Sequence, residues 1–353
     1  QALTNTTNQI QILTYRVVPT SGDIGNCVGD PFIIVVTVNP KPAIAHKLDQ
    51  ICSNTSFTLD LASGDADPTD IIPNNTTYTW TVNDNPNITG ESNSVGSSSL
   101  VTQTLINESN STQIVTYVIT PTTSLGCVGD TFNLTVSVDP KPTITDKVAV
   151  ICSGESFLVQ PTNSPPGNIV PAGTTYTWTV AANNDVQGEL AQTVPQSSIS
   201  QALTNDSFVD QILFYEVTPS TNGCDGNPFT VTVTVKPEPT ISILTNDTQL
   251  GCSGDTFGAV TFDSTVANTT YQWELQNTTV PLLVSGYPTN GNGDFPSLVL
   301  ENGLTMAFTL IYEVTPTAAG CEGPPLVFEI TINPVPVLLF SDNDQILCNM
   351  DAS

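Results

Sequence analysis

Basic side chains are nearly missing: Lys and Arg together number 6 against 33 Asp and Glu, for a formal charge of −27. A chain this acidic repels phosphate backbones and anionic bilayers, which argues against nucleic acid and membrane surfaces as partners. Histidine is reduced to His46, beside a proline-rich connector and without a partner for nucleophilic catalysis. There is no C-x-x-C pair, so a zinc cluster lacks its close ligands. No apolar run approaches the roughly 20 residues of a membrane helix. Paired carboxylates for glycoside hydrolysis do not stand out, because the acids fall mostly in turns, and no glycine-rich loop follows a strand and opens a helix.

What is abundant is Thr, Ser, Asn and Val, a mixture that favours strands and turns over long helices. One pattern recurs four times, about every 100 residues, a period that matches one small domain per repeat. Its first part is Tyr15-Arg16-Val17-Val18-Pro19, Tyr117-Val118-Ile119-Thr120-Pro121, Tyr215-Glu216-Val217-Thr218-Pro219 and Tyr312-Glu313-Val314-Thr315-Pro316. A cysteine, an apolar strand and a Pro-x-Pro pair follow each time, the pairs being Pro40/Pro42, Pro140/Pro142, Pro237/Pro239 and Pro334/Pro336. Proline fixes φ and pushes its neighbour towards extended geometry, so these pairs read as short, stiff domain boundaries. The expected division is a C-terminal half-domain at 1–41, whole domains at 42–141, 142–238 and 239–335, and the opening of a further one at 336–353. Both ends fall inside a repeat, so the chain is expected to be a segment of a longer array.

In the second domain, alternating patterns predict strands at Ala43–Leu48, Ser56–Leu61, Thr76–Val82, Ser97–Ile106, Thr112–Thr120 and Thr131–Val138, with loops at Ala62–Asn75 and Asn83–Gly96. Six or seven short strands per 100 residues read as an all-β sandwich, and four repeats as tandem immunoglobulin-like sandwiches in a rod. The triplets Tyr78-Thr79-Trp80, Tyr176-Thr177-Trp178 and Tyr271-Gln272-Trp273 place two rings on one strand face. One tryptophan per domain at a fixed place favours a core role for Trp80, Trp178 and Trp273 over a row of sugar-stacking rings. Tyr15, Tyr117, Tyr215 and Tyr312 are read as core for the same reason.

Eight cysteines alternate between two classes. Cys27, Cys127, Cys224 and Cys321 follow the tyrosine strand; Cys52, Cys152, Cys252 and Cys348 sit in a turn early in the next repeat. Regular cysteines in an acidic β-rich chain point to disulfides and an oxidising, extracellular setting.

Ile151-Cys152-Ser153-Gly154-Glu155-Ser156-Phe157, Tyr176-Thr177-Trp178, Tyr215 to Pro219, Gly223-Cys224 and Val233 to Pro237 together resemble the PKD-like, immunoglobulin-like repeats of Bacteroidota cell-surface adhesins, in particular those of gliding motility. The resemblance covers essentially the whole chain and rests on fold motifs. It implies export by the type 9 system, an extracellular filament attached to the outer membrane, and contact with motility or secretion machinery through parts outside this sequence.

Three disulfide patterns fit the spacing: Cys52–Cys127 within a repeat, Cys127–Cys152 across a linker, or Cys52–Cys224 from one repeat to the next. In an immunoglobulin-like domain the first turn lies at the exit pole and the turn before the last strand at the entry pole. A domain is roughly 30–40 Å long, and a disulfide needs Cα atoms within about 7 Å. That favours Cys52–Cys224 and, by the same rule, Cys152–Cys321, leaving Cys27, Cys127, Cys252 and Cys348 to pair outside the chain.

Asp65, Asp67 and Asp70 share one loop and are weak candidates for Ca²⁺, the sole cofactor considered; Ser341 to Asp344 and Asn290 to Asp294 are weaker. Asn-x-Ser/Thr triplets begin at Asn5, Asn54, Asn75, Asn87, Asn107, Asn133, Asn246, Asn268 and Asn277, and composition alone accounts for them. Asp263-Ser264-Thr265 resembles a Bacteroidota O-glycan acceptor, at Ser264. The expected function is a structural stalk in a surface adhesin, without enzymatic activity, whose partners are its neighbouring repeats. The alternatives are a polysaccharide-binding module using loops such as Asn83–Gly96, Ala181–Gln192 and Thr279–Asp294, or a non-catalytic spacer in a secreted enzyme.

Overall fold

The computed structural model describes residues 1–22, 25–62, 65–245 and 248–337. Every regular element among them is a strand. In the second domain four alternating segments make the larger sheet: an opening strand Lys47–Cys52, a tryptophan strand Thr77–Val82, a central strand Gln113–Thr122 and a closing strand Phe132–Asp139. Their order across the sheet is opening, closing, central, tryptophan. The opening and closing strands are parallel, Lys47 opposite Leu134 and Cys52 opposite Asp139; the other pairs are antiparallel. Parallel pairing makes both strands end at one pole, so the first turn of a domain sits beside its exit. Thr55–Leu59 pairs with Val101–Asn107 in the facing sheet.

The plan recurs. In the third domain the four strands are Lys147–Cys152, Thr175–Val180, Gln211–Thr221 and Phe229–Lys236. In the fourth they are Thr248–Cys252, Thr270–Leu275, Phe308–Ala318 and Leu326–Asn333. Each of these two sheets gains an edge strand beside the tryptophan strand, Gln192–Gln196 or Asn290–Asn292. Residues 1–42 supply a central and a closing strand alone, Gln11–Val17 paired with Phe32–Val38.

Alternation decides which side chains enter the core. The closing strand buries Phe132, Leu134, Val136 and Val138 while the residues between them face outwards. Tyr117 is fully buried with its ring 5.2 Å from Phe57, and Tyr215 repeats this with Phe157 at 5.2 Å. A buried phenol needs a partner. Tyr117 donates to Gln103 Oε1 at 2.7 Å, Tyr215 to Gln201 Oε1 at 2.9 Å and Tyr312 to the Pro288 carbonyl at 2.8 Å. Burial raises the pKa of all three, and that of Tyr78 to about 12 with help from Asp60 and Asp70.

Four sequence expectations change. The opening strand begins at Lys47 and reaches Cys52, later than Ala43–Leu48, because the backbone before it is held by a loop: Ala43 bridges to Ile71 and the Ala45 N–H donates to Asp70 Oδ1 at 2.8 Å. Trp178 and Trp273 are buried, but Trp80 is half-buried at the core margin, where the neighbouring segment meets its strand through isolated bonds, such as the Ser94 N–H to the Trp80 carbonyl at 3.0 Å, and not as a regular edge strand. Tyr15 is likewise half-exposed, on a hairpin with no facing sheet among the described residues; its hydroxyl donates to Gln1 Oε1 at 3.3 Å. The expected loop Asn83–Gly96 also contains a short strand, Ile88–Thr89, paired with the end of Val101–Asn107.

Candidate functional site: the inter-domain joints

The cysteines come together where domains meet. Cys52, ending the opening strand at the exit pole of the second domain, is bonded to Cys224 in the hairpin turn at the entry pole of the third, Cα atoms 5.5 Å apart. Cys152 is bonded to Cys321 in the same way, at 5.6 Å. The turn after the opening-strand cysteine is continued by the Ser53 N–H donating to the Asp139 carbonyl (2.7 Å) and the Ser153 N–H to the Lys236 carbonyl (2.9 Å). Cys27 and Cys252 are free and exposed, Cys127 is free and half-exposed, and Cys348 lies outside the described residues.

Three glycines complete the joints. Gly129, Gly226 and Gly323 each donate their N–H to the carbonyl of the proline ending the Tyr-x-Val motif, Pro121, Pro219 or Pro316, at 2.8 to 2.9 Å. A Cβ at Gly129 would lie 2.6 Å from the carbonyl oxygen of linker residue Pro42, and at Gly226 and Gly323 it would overlap those of Pro142 and Pro239. Each linker is therefore seated directly on the hairpin turn of the following domain, a fit that a side chain would prevent. Polar contacts add to it. Lys236 Nζ donates to the Ala319 carbonyl at 2.6 Å, and Asn222 Nδ2 reaches Asp139 Oδ1 at 3.5 Å. At the first joint Lys41 pairs with Asp130 at 2.7 Å and the Ile72 N–H donates to Asn8 Oδ1 at 2.7 Å.

A buried asparagine fixes each exit. Asn107 Nδ2 donates to the Val138 and Ser111 carbonyls, both at 2.8 Å, while its Oδ1 accepts from the Ser109 N–H. Asn205 does the same with Val235, Val209 and Ser207. Asn5 and Asn302 hold Val38 and Ile332 equivalently. The role escaped the sequence reading, which noted Asn5 and Asn107 only as Asn-x-Ser/Thr triplets. The signal was Leu-x-Asn at a fixed offset before each central strand: Leu3, Leu105, Leu203 and Leu300 precede the four asparagines. With both amide groups engaged and the residues buried, Asn5 and Asn107 are closed to glycan attachment.

The acidic loop holds the side-chain cation of Lys47. Lys47 Nζ donates to Asp67 Oδ2 and, at 2.8 Å, to Asp70 Oδ2, whose side chain is 1% exposed. Asp65 turns away, accepting from the Asp60 N–H. Burial disfavours the Lys47 ammonium and the Asp70 carboxylate. Their mutual bonds, with Asp67 for Lys47 and the Ala45 and Asp67 N–H groups for Asp70, outweigh it, so the lysine titrates above and the aspartate below its ordinary value. Among the described residues no group of three or more His, Cys, Asp or Glu is placed to hold a metal ion. His46 Nδ1 accepts from the Asn133 N–H at 2.9 Å, a structural contact. Ser264 is half-exposed just after the strand Thr261–Asp263, its Oγ accepting from the Val266 N–H. No helix among the described residues is long and apolar enough to cross a membrane.

Among solved structures, the chain is similar to a three-domain immunoglobulin fragment of titin (10% identity, 84% of this chain and 97% of that one, TM-score 0.34). It is also similar to the three N-terminal domains of the bacteriophage RB49 highly immunogenic outer capsid protein (13%, 81% and 96%, TM-score 0.36), and to the human desmocollin-1 ectodomain (11%, 91% and 67%, TM-score 0.29). No curated protein matches. The model of the PKD-like domain matches residues 1–42, 49–142, 149–239 and 249–336. Matched four times over nearly its whole length, the chain belongs to the PKD-like domain family.

Proposed function

We propose that this chain is a stalk segment of a cell-surface adhesin filament, displayed outside a gliding bacterium and carrying tension between the cell and a distal binding region. The observation that carries this reading is the joint: a disulfide from Cys52 to Cys224, repeated from Cys152 to Cys321, laid over linkers seated on Gly226 and Gly323. Independent binding modules on a flexible string need no such fastening. Disulfides also fit an extracellular location. The test is to delete a whole number of repeats from the gene of the source bacterium. Filaments shortened in proportion, with binding of the distal region intact, support the stalk; loss of ligand binding at unchanged reach overturns it.

One observation favours direct glycan contact as a second reading. Phe214 is 62% exposed on the outer face of the third domain. It lies in a hollow of about 480 Å³ with Asp146, Thr179, Glu216 and Thr230, beside the loop that starts at Ala181. An exposed ring flanked by carboxylates and hydroxyls can stack on and hydrogen-bond a neutral sugar. Polysaccharide arrays probed with the wild-type chain and with Phe214→Ala decide it: signal lost in the variant supports the reading, and absence of any wild-type signal removes it.

A further inference from the structure

The covalent chain, followed through the two bridges, crosses the domains along two routes that avoid their interiors. The first runs from the linker residue Pro42 along the opening strand to Cys52, through the bridge to Cys224, and down the closing strand Phe229–Lys236 to Pro239. The second leaves Cys127, descends Phe132–Asp139 and passes the linker to the strand Lys147–Cys152. It then crosses to Cys321 and descends Leu326–Asn333. In the third domain the two routes lie side by side. They are the parallel pair in which Lys147 faces Val231 and Cys152 faces Lys236. The remaining strands of that domain branch off these routes.

We propose that the two routes form a covalent double spine that carries tension past the domain bodies, an inference that rests on the stalk reading above. In an unbridged domain of this topology, tension pulls the opening and closing strands in opposite directions and shears them apart. Here the opening strand is fastened at both poles. The stretch from Pro42 to Cys52 is about ten residues, at most ~35 Å when extended, which is already about the length of the domain. Unfolding of the second domain therefore releases almost no length. The order Cys52, Cys152, Cys224, Cys321 makes the two bridges overlap, so each one limits the length that opening the other would free.

The overlap has a consequence that separate bridges cannot imitate. With both intact, the shortest covalent route between the chain ends, reached when the third domain itself is pulled out between Cys152 and Cys224, is about 155 residues, ~50 nm when taut at ~3.4 Å per residue. Losing either bridge alone raises it to about 180 residues, and losing both restores the full chain, ~120 nm at the same rise. The experiment is single-molecule extension of the full oxidised chain held by its termini, compared with Cys52→Ser, Cys152→Ser and the double variant. The expected limits are about 1.2-fold longer for either single variant and about 2.3-fold longer for the double, by the same residue rise. A single variant that gains half or more of the double variant's increase overturns the proposal. So does an oxidised chain that reaches as far as the double variant. Because a variant can misfold, the wild-type chain is also reduced while under tension, where lengthening must come as a small step followed by a large one. Repeat deletion on the cell tests the stalk reading separately, and either result can fail without the other.

Discussion

A single asparagine decides how each domain ends. Asn205 satisfies the Val235 and Val209 carbonyls and caps the Ser207 N–H, in a place closed to water. Replacing it with Ala takes the amide donor from the buried Val235 carbonyl, while the exposed Val209 carbonyl keeps the Ser207 hydroxyl, and an unsatisfied buried polar group costs about 1–3 kcal/mol. Asn205→Ala is therefore expected to destabilise the third domain by that amount and so to lower its urea midpoint, read by domain-resolved hydrogen exchange. Asn205→Asp should cost at least as much, because a carboxylate then faces two carbonyl oxygens. The Lys47–Asp70 pair gives a prediction in pH. The folded Asp70 carboxyl lies below its unfolded value, so its contribution is present above the unfolded pKa and is lost as pH falls through the folded one. Lys47 is raised, so its contribution is complete below the ordinary lysine value and is lost as pH rises through the folded one. The third domain has Asn168 in the place of Asp70, accepting from the Thr145 N–H. Acidification below about pH 4, the ordinary carboxylate range, is expected to weaken the second domain more than the third. Lys47→Met should abolish the difference; equal acid sensitivity in the wild type would show that the pair contributes nothing.

Strands and joints differ in how openly the sequence displays them. The repeat, the sandwich and the alternating closing strands were legible because period-2 burial leaves a direct trace: Phe132, Leu134, Val136 and Val138 point one way and their neighbours the other. The start of the opening strand was not, because Ala43 and Ala45 are held by a loop more than twenty residues downstream. Trp80 also reads like Trp178, and the sheets differ beside them: a regular edge strand pairs next to Trp178, while isolated bonds stand next to Trp80. The joint glycines recur two residues after a cysteine in every repeat, but the reason for them was hidden in a similar way. Gly226 matters through the carbonyl of the linker residue Pro142, a contact that spans more than eighty residues of sequence. Gly226→Ala is expected to push that linker off its seat at about 1–3 kcal/mol of overpacking strain. The readout is faster exchange of the residue-226 N–H and a broader distance distribution between labels on the second and third domains. Gly167→Ala, which meets only an ordinary contact 3.8 Å away at Ser164, is the control and should change neither.

At the scale of the whole molecule, charge sets how the rods meet one another and what they admit. Among the described residues, ion pairs join only Lys41 with Asp130 and Lys47 with Asp67 and Asp70, against a formal charge of −27. Most of the acidity is therefore a field directed outwards, which disfavours the compact state and keeps copies apart. Salt shortens the reach of that field to about 10 Å at 0.1 M and about 3 Å at 1 M. Two effects should follow together as NaCl rises. The thermal midpoint should climb, because repulsion within each domain is screened, and the second virial coefficient from light scattering should fall from strongly positive towards zero. If the midpoint stays flat while the virial coefficient falls, the acids are spread widely enough that repulsion acts between rods and not within domains. If neither moves, bound counterions have already neutralised the surface. The two bridges change what the first outcome means. Salt can alter how firmly the domain bodies hold together, but it cannot alter the reach of a spine that is covalent, so the oxidised length under tension should be the same at low and high salt.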